Sequence, residues 1–307
     1  MKTEENILQK SIITALLASL CCLLWGSAFP CIKLGYRLFE IGSADSASQI
    51  LFAGIRFSLA GVLVIAAGSL LQKKFLKPEK KAIPSVVKLC LLQTVVQYVF
   101  FYIGLAHTTG VKGSIVNAVN VFFSILVSCV WFKLEKFDKQ KIAGCVLGFS
   151  GVILINLGGN FSVNFNFWGD GFLLVSAFAY ALSTVLIKIY GKNNDPVMLS
   201  GYQFLAGGLI MILLGICIGG RISNITVAGI GLLLYMAFIS AGAYTLWGIL
   251  LKHNPVSKVA VFGFFTPIFG VILSALILRE GTSFDAKTIA ALVLVCVGII
   301  AVNCEKR

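Results

Sequence analysis

The chain has 307 residues, of which 58% are hydrophobic and only 12% charged. That is far too little charge to cover the surface of a water-soluble domain of this size. The formal charge of +13 would point to nucleic acid in a soluble protein, but here it reads as basic loops on the cytoplasmic side of a membrane protein, and no nucleic-acid partner is expected.

Met1 to Lys10 are polar, and the apolar run after them is too long for a signal-peptide core and lacks a small-residue cleavage site. It reads as a first span retained in the mature protein. Ten apolar segments follow one another, over 12–34, 49–70, 84–106, 111–132, 140–157, 169–189, 196–218, 226–250, 257–278 and 286–303. About 20 apolar residues cross the ~30 Å hydrocarbon core, so each is a candidate transmembrane helix. The breaks between them are short and rich in turn residues, as in Lys77-Pro78-Glu79 and Asn193-Asn194-Asp195-Pro196. None can house a folded domain, so function must lie among the helices or at their mouths.

The N-terminus, the breaks after spans 2, 4, 6 and 8, and the C-terminus carry seventeen Lys and Arg residues, against six in the other breaks. Lys73, Lys74, Lys77, Lys80 and Lys81 dominate one loop, and Lys133, Lys136, Lys139 and Lys141 another. This asymmetry predicts that both termini are cytoplasmic.

The end of span 4 with span 5 reads FFSILVSCVWFKLEKFDKQKIAGCVLGFSGVILIN, and the end of span 9 with span 10 reads PIFGVILSALILREGTSFDAKTIAALVLVCVGIIAVN. Glu135 aligns with Glu280, Gly151 with Gly298 and Asn156 with Asn303. A weaker echo joins Leu17–Lys33 to Leu174–Lys188. Each half then holds five spans, over 1–157 and 158–307, and an odd number sends the second half into the membrane from the opposite side. Inverted repeats of this kind underlie many secondary transporters, because the halves can exchange conformations.

The WGSAFPCIK segment from Trp25 to Lys33 resembles the first-span motif of the drug/metabolite transporter superfamily, EamA branch. Arg56-Phe57 is similar to that family's second-span arginine, and PIFGVILSALILREG, from Pro267 to Gly281, to the proline-to-glutamate ending of each repeat. The first repeat departs from the pattern, with Phe122 where proline is expected. The resemblance covers essentially the whole chain. It implies a ten-helix, two-repeat exporter or importer of amino acids, related metabolites or drugs, with export the preferred direction and spans 5 and 10 peripheral.

Catalysis fits poorly. His107 and His253 lie at opposite-facing span ends, and all 12 acidic residues fall in loops or near span ends, so no acid, base or metal constellation forms at depth. Nine cysteines (Cys21, Cys22, Cys31, Cys90, Cys129, Cys145, Cys217, Cys296, Cys304) lie almost wholly in apolar stretches without a CxxC pair, so they read as small hydrophobes. Neither an enzyme, a cofactor, a metal site nor a disulfide framework is expected. Without a carboxylate at a span centre, proton-coupled export of cations is disfavoured. Uniport, exchange, or coupling through a basic or mouth-located group stays open.

Arg56 lies about seven residues into span 2, roughly 10 Å of helix rise from its end. It reads either as an attractor of a substrate carboxylate or phosphate, or as a structural arginine bonding helix carbonyls, with the structural role favoured. Lys33 divides between cavity rim and interfacial anchor. Polar residues recur on single helix faces: Ser114, Asn117, Asn120, Ser124 and Ser128 in span 4; Ser176, Tyr180, Ser183 and Thr184 in span 6; Gln93 and Gln97 with Phe101 in span 3; Ser240, Tyr244 and Trp247 in span 8; Ser19, Gly26, Pro30 and Lys33 in span 1. In hydrocarbon such faces turn inward, to line a wet cavity or to bond neighbouring helices. Tyr98, Tyr102, Tyr180, Tyr244 and Trp247 suit an aromatic lining, while Trp131 and Trp168 suit the lipid interface. Pro30 and Pro267 are candidate gating kinks. Gly144 and Gly148 form a close-packing pair. Glu135 and Glu280 are read as caps or tethers of helix ends.

The expectation is an all-α integral membrane protein of ten transmembrane helices in two inverted five-helix repeats, residing in the cell (cytoplasmic) membrane as monomer or homodimer. Spans 1, 3, 4, 6, 8 and 9 would enclose a cavity. The candidate substrate-binding residues are Ser27, Gln93, Gln97, Tyr98, Asn117, Asn120, Tyr180, Thr184, Tyr244 and Trp247. The partners would be the lipid bilayer and a small neutral or zwitterionic substrate, an amino acid in the first place, moved by alternating access. A phosphorylated or nucleotide-linked solute, or a non-transporting receptor or scaffold, are the rival readings.

Overall fold

A computed structural model describes residues 7–42, 44–107, 116–156, 165–278 and 286–303, and every regular element among them is helical. Helix α1 spans Ser11–Leu38 and runs through Pro30 without ending. Helix α2, Ser46–Leu71, starts at Asp45, whose carboxylate accepts the Ser48 N–H at 2.9 Å. That bond satisfies one of the free donors of the first turn, and the Ser48 contacts hold the Asp45 carboxyl below its usual range. Helix α7, Pro196–Cys217, opens the same way: Asp195 accepts the Val197 N–H at 2.9 Å, and Pro196 sits where a missing N–H costs nothing.

Helix α3, Lys80–Leu105, contains a π-helical stretch over Cys90–Val96. This widened turn is pinned to α7: Gln203 donates to Gln93 at 2.8 Å, and Thr94 donates to Gln203 at 2.9 Å. Helix α4, Val116–Trp131, breaks at Val119, resumes over Asn120–Leu126 and ends in a π-turn. Helices α5 (Lys139–Asn156), α6 (Phe167–Tyr190) and α8 (Val227–His253) follow. Helix α9 comes in three pieces, Val256–Ala260, a 3-10 turn over Val261–Phe264, and Phe265–Leu278. Helix α10 is Ala286–Asn303. Six helices, α1, α2, α3, α6, α7 and α8, are long and apolar enough to cross a membrane, and the other four are shorter or interrupted.

Close backbone approach explains two of the helix pairs. Gly54, Gly61 and Gly68 of α2 recur every seven residues, as do Gly201, Gly208 and Gly215 of α7, each 147 positions after its counterpart. A Cβ at Gly54 would lie 2.6 Å from Ile212 N, and one at Gly61 would lie 2.7 Å from the Gly201 carbonyl. The helices therefore run antiparallel in near backbone contact, as small residues permit in lipid. Helices α5 and α10 repeat the device: Gly144 faces the Gly298 carbonyl and Gly151 the Ala291 carbonyl, with a Cβ at 2.6 and 2.7 Å. Gly148 of the expected glycine pair abuts Phe264 of α9.

The other extensive pairings are α1 with α8 and α9, α6 with α3 and α4, α8 with α2, and α3 with α7. Replacing each helix by the one five places away returns the same set of neighbours. The described chain ends and the lysine-rich loops after α2 and α4 share one face of the bundle, joined by contacts such as Gln9 to the His253 carbonyl and Gln72 to Asp195. The opposite face carries the α1–α2 and α7–α8 connections, tied by Arg221 N–H to Ser48 and by Asn224 to the Leu38 carbonyl.

Candidate functional site

The bundle holds a partly open cavity of about 110 Å³. Its walls come from α1, α3, α4, α6, α8 and α9, with Arg56 added from α2. A water molecule needs roughly 10–15 Å³ by the same measure, so a small solute fits. Along α1 the lining runs from Trp25 to Ile32, toward the face away from the chain ends.

Aromatic rings form much of the wall. Trp25 meets Tyr180, Tyr244 and Trp247 edge-on, with centroids 6.4, 4.9 and 5.0 Å apart. Such geometry sets a positive ring edge against a negative ring face. Tyr98 packs on Phe57 at 4.3 Å, and its hydroxyl hydrogen-bonds that of Tyr244, joining α3 to α8. Three polar atoms of the lining residues have no hydrogen-bond partner: Trp25 Nε1, Gln97 Oε1 and Thr266 Oγ1.

The lining meets both helix breaks. Asn117, Ala118 and Asn120 flank the break at Val119 in α4, while Gly263, Thr266 and Pro267 border the 3-10 turn of α9. Pro267 has no N–H to give the Gly263 carbonyl four residues earlier. In α4, Phe122 stands where the second repeat has Pro267, yet the helix still breaks; the Val119 N–H bonds the Val116 carbonyl in a tight turn.

Toward the chain ends the cavity is shut. Trp247 is 1% exposed beneath Trp25, and below it Leu250, Leu251, Ile187, Leu199 and Val256 pack into one buried cluster. Polar ties seal the rim. Glu135, in the loop after α4, accepts the Val256 N–H at 2.5 Å, the Ser257 N–H at 3.2 Å, the Ser257 hydroxyl and the Ser128 hydroxyl. Lys141 lies 3.2 Å from the same carboxylate. Burial pushes the Glu135 carboxyl up, but Ser257 and Lys141 outweigh it and hold it below its ordinary range. Glu135 is thus the cap of α9 and its tie to α4 and α5. Lys188 donates to the Asn254 carbonyl at 2.7 Å, and Asn254 donates to the Leu8 carbonyl at 2.9 Å.

Of the residues singled out in the sequence, Gln97, Tyr98, Phe101, Asn117, Asn120, Tyr180, Tyr244, Arg56 and Pro267 line the cavity. The rest lie outside its lining. Ser27 donates to the Leu24 carbonyl and bonds Tyr235; Gln93 serves the α3–α7 contact; Thr184 is fully buried; Trp247 stands behind Trp25. Pro30 is buried in α1, and Lys33 is exposed. Ser114 and Glu280 fall outside the described residues. Sequence reasoning missed Ala118, Gly263 and Thr266, and had placed Trp25, Ala28, Phe29 and Ile32 only within a motif. An apolar residue in an apolar helix carries no signal of which way it points, whereas Thr266 directly precedes the noted Pro267. Among the described residues no group of three or more His, Cys, Asp or Glu side chains could hold a metal, and the eight described cysteines are free thiols.

Long apolar helices around a solute-sized, polar-edged chamber define a multi-pass membrane protein built to admit a small molecule. The chain belongs to the EamA-like transporter family, whose model matches residues 12–157 and 167–304. It is therefore a membrane transporter rather than an enzyme. It is 28% identical over 304 residues to the uncharacterized transporter YvbV of Bacillus subtilis, covering 96% of this chain and 92% of the relative. An uncharacterized transporter of Archaeoglobus fulgidus is 28% identical over 276 residues, covering 88% and 91%. One crystal structure shares the fold, with a TM-score of 0.78, 15% identity, and coverage of 94% of this chain and 96% of the other.

Proposed function

We propose that the protein is a secondary-type transporter of the cell membrane that moves a small neutral or zwitterionic metabolite, an amino acid in the first place, outward by alternating access. It is read as ten transmembrane helices in two inverted five-helix repeats, 1–157 and 158–307, with both termini cytoplasmic. The antiparallel α2–α7 and α5–α10 pairs support inversion, because a two-fold axis in the membrane plane relates helices of opposite direction. The neighbour list that survives a five-helix exchange supports the same reading. Gathering the lysine-rich loops and chain ends on one face supports a cytoplasmic assignment of that face.

The observation that carries the proposal is the cavity itself: bordered by two broken helices and closed toward one face by the Glu135 and Asn254 ties. Discontinuous helices at mid-depth are where carriers hold solute. Gln97, Tyr98, Asn117, Asn120, Tyr180 and Tyr244 then contact the cargo, and Pro267 sits at the bending point of α9. Trp247 supports that wall from behind Trp25. Purified protein in liposomes tests this. Saturable uptake of a labelled amino acid, lost in folded Asn117→Ala and Tyr244→Ala variants, is expected. No flux across a broad solute panel favours a receptor instead.

A further inference from the structure

We propose that Arg56 anchors a carboxylate of the transported solute, so that the cargo is a small molecule of single negative charge at that end, an α-amino acid above all. The proposal rests on the transporter reading. Arg56 is only 3% exposed, deep in a helix that crosses the membrane. Its Nε donates to the Met236 carbonyl at 3.2 Å and to Ser240 Oγ at 3.0 Å, and the Ser240 hydroxyl donates in turn to the same carbonyl at 3.2 Å. Helix α8 thus grips the stem of the guanidinium through one N–H of five. The other four N–H groups lie at the guanidinium end, beside Tyr102, and Arg56 is one of the residues that line the cavity. The Phe57 ring, 5.2 Å from the guanidinium carbon, supports it from its own helix.

A cation held at this depth is costly without an anion. Among the described residues none with a carboxylate lines the cavity, and the carboxylate–lysine pair at Glu135 lies at the far rim. The cavity also offers complementary groups. Trp25 Nε1 is a free donor for a carboxylate oxygen. Gln97 Oε1 is a free acceptor for an ammonium group. Trp25, Tyr180 and Tyr244 give ring faces for an apolar side chain or the ammonium. One guanidinium neutralises one carboxylate. A phosphate dianion would leave a buried negative charge, because Lys33, the next cation along α1, is exposed and outside the lining.

The test uses the full chain in liposomes. Thermal stabilisation by each of the twenty α-amino acids is titrated, and each stabilising acid is compared with its carboxamide and its decarboxylated amine. Flux of the same labelled compounds is measured in parallel. The acid is expected to bind roughly ten- to a hundredfold more tightly than its amide, the scale of a hydrogen bond to a charged group. Arg56→Gln should erase that difference and Arg56→Lys should keep part of it; if Arg56→Gln fails to fold, the wild-type acid–amide comparison decides. Equal binding of acid and amide, or flux without preference for a carboxylate, overturns the anchor and leaves a carrier. Carboxylate-dependent binding without any flux sustains the anchor and overturns the carrier.

Discussion

Glu135→Ala should loosen the closed end of the bundle. One carboxylate there accepts from Ser128 at 3.0 Å, Val256 N–H at 2.5 Å, Ser257 N–H at 3.2 Å and the Ser257 hydroxyl, and pairs with Lys141 at 3.2 Å. Hydrogen bonds to a charged group contribute about 1.5–3 kcal/mol each. They are not additive, and the carboxylate is 10% exposed, so water replaces part of them. Removing one partner of a buried pair typically costs about 3–5 kcal/mol, and this tie should fall there. The purified variant should melt roughly 5–10 °C lower. A second readout lies beside the tie. Cys129 is 7% exposed, with Sγ 3.8 Å from Lys141 Nζ, so opening this end should expose it to a membrane-impermeant maleimide detected by peptide mass spectrometry. An unchanged melting midpoint together with unchanged Cys129 labelling would refute the tie.

Further outcomes follow from the same contacts. The folded protein holds the Glu135 carboxyl below its ordinary 4.5. Its contribution is therefore complete above about pH 4.5 and fades as pH falls through the folded value. Melting curves from pH 7 to 3.5 should show wild type losing its advantage over Glu135→Gln at the acid end. Gly61→Ala places a methyl against the α7 backbone and should destabilise by about 1–3 kcal/mol. Gly231→Ala in α8 meets nothing within 4 Å and should stabilise by about 0.5–1 kcal/mol, so the two variants should move unfolding in opposite directions. Pro267→Ala restores a donor to Gly263 and should stiffen α9, lowering transport turnover while the melting point holds or rises.

The long helices were legible because a membrane demands about twenty apolar residues at a time. Interruptions were harder to see. The π-stretch at Cys90–Val96 depends on bonds from Gln203, 110 positions from Gln93, and such a partner leaves no local trace. The break at Val119 occurs without the proline that would have announced it. Polar stripes pointed toward the cavity through Gln97, Asn117, Asn120, Tyr180 and Tyr244, yet the same logic selected Gln93 and Thr184, which lie outside its lining. In hydrocarbon a hydroxyl or amide is satisfied equally by a neighbouring helix or by a wet chamber, so sequence periodicity alone cannot separate the two. Glu135 was legible as a cap because it sits between a span end and a basic loop; its target on α9, more than 120 positions away, was not.

Counterflow tests alternating access most directly. Proteoliposomes loaded with an unlabelled amino acid that binds the protein are diluted into a trace of the same compound in labelled form. A carrier that exposes one site to each side in turn predicts transient accumulation of label above its external concentration, abolished when the lumen is empty. Label that enters at the same rate whatever the lumen holds, or does not enter at all, would contradict the account.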